Sequence, residues 1–170
     1  GVDLAGGGQP RSRTRRGCVR ARPRLGEWTL DAAVGGGLMV EPEPGGLNRA
    51  EAALLAADLA EAPAERYCQA HLAALRVAAV ILAVRAPRLR GRDLGSRNVW
   101  HVIGQVAPEY AEWAGFFATT QLKQQAVTAG ATAIVTAREA DDLARDARLF
   151  CDQVALWLPR ARARSVRGAG

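Results

Sequence analysis

The sequence predicts an all-α fold: an antiparallel up-down bundle of four to five helices, with disordered segments at both ends. Three observations predict it. Hydrophobic residues make up 49% of the chain, more than a disordered polymer carries. Aromatics reach only 5%, so the core must be built from Ala, Leu and Val, and Ala is the strongest helix former. Between residues 48 and 158 apolar positions recur at steps of three and four, the period of a helix with a buried face.

The elements follow in chain order. Residues 1–47 hold Gly clusters, seven Arg and the tract Glu41-Pro42-Glu43-Pro44-Gly45-Gly46. Such a stretch buries too little to offset its ordering entropy, so disorder is expected. Its first Met is Met39, and a translation start at or near it would explain the composition before it. The intact mass of the native protein tests that point. A first helix begins at Asn48, with Glu51 completing a capping pair and Leu47 stapling the entry. It runs to about Ala60 on a stripe of Leu54, Leu55 and Leu59. The second starts at Pro63, a first-turn residue, and ends at about Arg85, before Pro87. Its stripe is Tyr67, His71, Leu75, Ala78 and Leu82.

Residues 86–96 form a basic loop. Ser96 is the expected cap of a third helix that reaches about Val106. Pro108 either kinks that helix or opens a new one, which stops at Gly130. Trp100, Ile103, Ala107, Tyr110, Ala114 and Phe117 fall on one face; Val99, Val102, Val106, Trp113 and Phe116 cover a second. A segment apolar on two faces is expected at the bundle centre. Thr136 and Glu139 have the spacing of a capping box for the last helix. That helix runs to Leu158, before Pro159, with Leu143, Ala147, Phe150, Val154 and Trp157 inward. The domain is thus expected over 48–158, with a basic disordered tail over 159–170.

The net charge of +6 is unevenly placed. Residues 1–40 carry +4 and residues 160–170 another +4, while 41–159 carry −2. A polyanion is therefore suggested for the tails, not by the charge of the bundle. Three cysteines at 18, 68 and 151, with no close pair, argue against a disulfide framework or a zinc site and fit a reducing, cytoplasmic compartment. The longest apolar run, Val77 to Val84, is short for a membrane span. No metal or cofactor is expected, and no phosphate-loop, dinucleotide or zinc-protease motif is present.

With two histidines in the chain, acid–base chemistry has few candidates. In Arg66-Tyr67-Cys68-Gln69-Ala70-His71 an imidazole could move a proton at a phosphodiester while a guanidinium holds its oxygens. Five residues are about 500° of helical rotation, which leaves the two side chains about 140° apart. A second subunit would be needed to unite them. The competing reading is a packed core histidine and a structural arginine. Arg97 and His101 lie four apart on one helix face, with Asn98 beside them, and compete with a plain solvated strip. Arg85, Arg88, Arg90, Arg92 and Arg97 could grip phosphates, or form an ordinary solvated loop.

The run from Arg66 to Arg76 resembles the signature of an actinobacterial family of the HEPN superfamily (higher eukaryotes and prokaryotes nucleotide-binding). The stretches Arg97–Trp100, Val106–Phe117 and Val135–Leu143 fit it too, in order, so the resemblance spans about 64–158. It implies a dimeric helical bundle. It further implies either a metal-independent endoribonuclease with an Arg-x(four to six)-His motif or a module that only binds RNA or nucleotide. Carried over, Arg66 and His71 match that motif with four intervening residues; Arg97 and His101 have three, a departure from it. The expected roles are His71 as acid–base, Arg66 as phosphate stabiliser, and Arg88, Arg90, Arg92, Arg97, Asn98 and His101 as phosphate or nucleic-acid contacts. The alternative is a non-catalytic helical module for dimerisation or protein interaction. It predicts an exposed apolar strip and no phosphate-sized basic cleft. A third reading, nucleic-acid binding by the tails, predicts weaker binding once residues 1–40 and 160–170 are removed.

Overall fold

A computed structural model of the chain describes residues 45–86 and 98–167, with side chains described over 46–86 and 98–161. The described residues form five α-helices: α1 (Gly45–Leu59), α2 (Pro63–Arg85), α3 (Val99–Val106), α4 (Ala111–Thr128) and α5 (Ala137–Arg167). Short 3-10 turns at Pro108–Tyr110 and Thr132–Ile134 precede α4 and α5, and no strand occurs among the described residues. The all-α bundle expected from composition and periodicity is what forms.

The long helix α2 is the hub. Proline opens it and it ends at Arg85, both as the sequence predicts. The whole stripe Tyr67, His71, Leu75, Ala78 and Leu82 is buried, and so are Ala70, Ala73, Ala74, Val77, Ala79, Val80 and Ile81. Such a helix is covered on nearly all sides, by α1 and α5 most extensively and by α3 and α4 along the remainder. By length and composition it could cross a membrane, but 67% of its apolar window is buried inside the bundle. The helix is apolar because other helices surround it.

Helix α1 departs from expectation at both its start and its face. It begins at Gly45, so Asn48 lies within the helix and caps nothing. The extension follows from a close approach: a Cβ at Gly46 would lie 2.6 Å from Val80 Cγ2, so only glycine lets α1 sit this close to α2. Leu55 and Leu59, expected inward, are 59% and 74% exposed; the buried stripe is Ala50, Ala53, Leu54 and Ala57. Close helix approach selects small residues, so alanines form the seam and the leucines face out.

The remaining elements follow local signals with two corrections. The cap of α3 is Asn98, whose side chain accepts from the Trp100 N–H at 3.0 Å. It takes the role assigned to Ser96, which lies outside the described residues, as does the rest of the basic loop after residue 86. Pro108 starts a new turn, and α4 is followed by Gly130 at φ 108, a left-handed conformation that favours glycine. The first predicted face, Trp100 through Phe117, is buried at every position. On the second, Val99 and Val102 are buried but Phe116 is 37% exposed. The Thr136–Glu139 box forms reciprocally. The Glu139 N–H donates to Thr136 Oγ1 at 3.2 Å, and the Thr136 N–H donates to Glu139 Oε2 at 2.9 Å. The bond from Lys123 first, then those from the Thr136 N–H and the Thr136 hydroxyl, hold the Glu139 carboxyl down to about 2.

Helix α5 does not stop at Leu158. It continues through Pro159 to Arg167, into the stretch expected to be a disordered tail. Pro159 deprives the Ala155 carbonyl of its usual donor. Both residues are exposed, so water can take that bond.

Candidate functional site

The Arg66–His71 signature stands on α2, one turn and a half apart. Arg66 points toward the C-terminal end of α1. Its Nε donates to the Ala57 carbonyl at 3.3 Å, one terminal nitrogen donates to the Ala60 carbonyl at 2.8 Å, and the other meets Asp141 of α5 at 2.5 Å. The carbonyls at a helix C-terminus lack intrahelical donors and carry partial negative charge, and a guanidinium suits both needs. Arg66 is a clamp joining α1, α2 and α5.

His71 points the other way, into the core, and is 0% exposed. Its Nδ1 lies 3.1 Å from Thr120 Oγ1. The Thr120 hydroxyl donates to the Phe117 carbonyl at 3.0 Å, so its oxygen is left to accept, and Nδ1 carries the proton. Nε2 has no hydrogen-bond partner among the described residues. The ring meets Trp100 and Phe117 edge-on, at centroid separations of 6.0 and 6.5 Å. Burial pushes its pKa down to about 4. Within one copy the two side chains of the expected catalytic pair do not meet: Arg66 is engaged with carbonyls and Asp141, and His71 is sealed in the core. The geometry agrees with the rotation that separates them on a single helix.

The second cluster fares differently. His101 is exposed on α3, and the Gln105 amide lies 3.2 Å from its Nε2, so Nε2 accepts. Asn98 is used as the helix cap, which ties up its side-chain oxygen. Arg88, Arg90, Arg92 and Arg97 lie outside the described residues. Arg85, at the near end of the basic stretch, pairs with Glu109 and lies over the Trp157 ring, 5.2 Å from its centroid. It locks the end of α2 to the 3-10 turn and α5.

Asn98, His101 and Gln105 form the polar rim of a shallow groove of about 530 Å³ between α3 and α4. Its floor is Gly104, Ala111, Ala114, Gly115 and Ala118, with Trp100 in its wall. A Cβ added at Gly104 or Gly115 would meet nothing within 4 Å. Among the described residues, no arginine, lysine or carboxylate lines the groove. Of the small residues that floor it, the sequence places only Ala114 on an apolar face; Gly104, Ala111, Gly115 and Ala118 fall on neither predicted face. The signal was present: Ala111, Gly115, Ala118 and Leu122 recur at steps of four, three and four, on the side of α4 away from Phe117. Leu122, at the far end of that line, is 72% exposed.

Among the described residues, free thiols and metal ligands offer no alternative centre. Cys68 is half-buried and Cys151 buried, and burial raises both thiols, Cys151 to about 11. No cluster of metal-ligating residues occurs among the described residues.

An α2 hub wrapped by the other helices, with an Arg-x(four)-His signature on that hub, is the arrangement expected of a helical bundle of the HEPN class. The model of the SAV_6107-like HEPN family matches residues 56–155, so the chain belongs to this family. No curated protein and no solved structure matches the chain.

Proposed function

We propose that this HEPN bundle is a non-catalytic association module acting through the α3–α4 face. The observation that supports it is the groove itself: apolar, floored by small residues, free of cationic side chains among the described residues, and in line along α4 with the exposed Leu122. Phosphate recognition calls for Arg or Lys at the contact, whereas close protein packing calls for small and apolar ones. The test is incubation of the full chain with single-stranded RNA in the presence of chelator. The expected result is intact RNA. Cleavage that is lost in His71→Gln, with native helical content retained, would overturn the reading.

A second reading keeps RNA or nucleotide as a ligand without catalysis. It rests on His101, an exposed imidazole at the groove mouth, four residues after Arg97. It predicts salt-dependent RNA binding that weakens in His101→Ala and in Arg97→Ala. Binding unchanged by both substitutions would reject it.

A further inference from the structure

We propose that the outer seam between α1 and α5 docks a cationic amphipathic helix of a partner protein. The surface shares no residue with the α3–α4 groove and goes beyond the association reading above.

Four leucines border this seam and face solvent. Leu55 and Leu59 stand one turn apart on α1, and Leu149 and Leu156 two turns apart on α5; each is at least half exposed. Both pairs keep helical spacing, so each forms a ridge along its own helix. A folded chain gains nothing from apolar ridges left in water, and apolar surface that stays exposed in one place marks a contact site.

The register between the two helices brings the ridges together. Arg148 donates to the Asp58 carboxylate at 2.7 Å and so joins α5 to α1. Glu51, seven residues before Asp58, acts on the thiol of Cys151, three residues after Arg148, so the helices run antiparallel. At 1.5 Å per residue, Leu55 lies about 4.5 Å from the bridge along α1, and Asp152 about 6 Å from it along α5. Glu51 and Leu156 follow at about 10.5 and 12 Å. A leucine on one helix thus stands level with a carboxylate on the other, twice in succession.

Charge names the partner. Asp58 and Arg148 cancel, whereas Glu51 and Asp152 have no ion pair among the described residues. After burial, these two carboxylates are what raise the Cys151 thiol, so both lie beside the same point of the seam. Leucines beside unpaired carboxylates suit a helix with leucines on one face and arginine or lysine at its edges. Its apolar ridge packs along the seam of two helices already side by side, and its cations reach the acids. A nucleic acid or an anionic membrane is repelled by the same charges.

A labelled peptide of about 18 residues tests this, with Leu at heptad positions a and d and Arg at e and g. It is titrated with the full chain and followed by fluorescence anisotropy. The expected dissociation constant is about 10–200 μM, weakened about fivefold or more between roughly 50 and 500 mM salt. The same peptide with Glu at e and g is expected not to bind. Leu55→Lys, and the double variant Glu51→Lys with Asp152→Lys, are each expected to weaken binding of the Arg peptide about tenfold or more. The double variant is expected to bind the Glu peptide instead. All three positions are exposed, so circular dichroism should show unchanged helix content. Glu112→Lys, on α4, makes the same kind of charge change elsewhere and is the control expected to leave binding unchanged. Failure of the Arg peptide to bind overturns the proposal. So does binding that the seam variants leave intact, or equal binding of the two peptides. Self-association that sedimentation shows to be lost in Leu55→Lys would assign the seam to a second copy and likewise overturn it. The RNA assay decides the non-catalytic reading separately.

Discussion

Acidification from near pH 7 to about pH 5 should weaken this fold through one side chain, His71. An unfolded histidine titrates at its ordinary 6.5, whereas burial holds the folded one at about 4. The folded value is depressed, so between these limits the unfolded state binds more protons and stability rises with pH. The stabilisation is complete above 6.5 and is lost as pH falls toward 4. At 1.36 kcal/mol per pH unit the full gap is worth about 3 kcal/mol, of which about 2 kcal/mol is gone by pH 5. Glu139, held down to about 2, acts below its own ordinary value of 4.5 and so outside this window. The assay is urea unfolding at both pH values, for the wild type and for His71→Gln. Glutamine can still donate to Thr120 Oγ1 and does not titrate. The wild type should lose about 2 kcal/mol more than the variant between the two conditions. Equal losses in the two proteins would refute the argument, because they would mean that His71 is solvated in the native state.

Five further substitutions have expected outcomes. Arg66→Ala should cost about 2 kcal/mol in chemical denaturation, since it removes charge-assisted bonds to two carbonyls at the end of α1. Asp141→Asn, at an acid whose side chain is 60% exposed, should cost less than about 1 kcal/mol; equal losses would show the ion pair to be the main contribution. Gly46→Ala should lower the melting temperature because its methyl would overlap the stiff Val80 side chain, at a cost of about 1–3 kcal/mol. Gly115→Ala should instead raise stability by about 0.5–1 kcal/mol at monomeric concentrations. Thr136→Ala should cost about 1 kcal/mol by calorimetry, through loss of the α5 cap.

Local chemistry made much of the architecture legible in the sequence. Pro63, Gly130 and the Thr136–Glu139 pair act within a few residues of themselves, through fixed φ, a left-handed turn and reciprocal capping bonds. Helix type and most boundaries therefore follow from the chain alone, as does burial of the Trp100–Phe117 face. The resemblance carried by Arg66–Arg76 likewise led to the HEPN superfamily.

Other features depended on neighbours distant in the sequence. Whether Leu55 or Ala57 faces inward depends on how near α2 lies, and that distance is set by the absence of a side chain at Gly46. Pro159 stays helical because its orphaned carbonyl faces solvent. The groove exists because α3 and α4 meet at a corner over residues too small to fill it. For Arg66 and His71 the sequence determined the spacing, and hence that one helix would point them apart. Tertiary packing decided what each would meet: the open end of α1 and Asp141 for the guanidinium, and Thr120 with two aromatic rings for the imidazole. Burial is a property of the assembled helices, and no local pattern specifies which side of a helix the rest of the chain will cover.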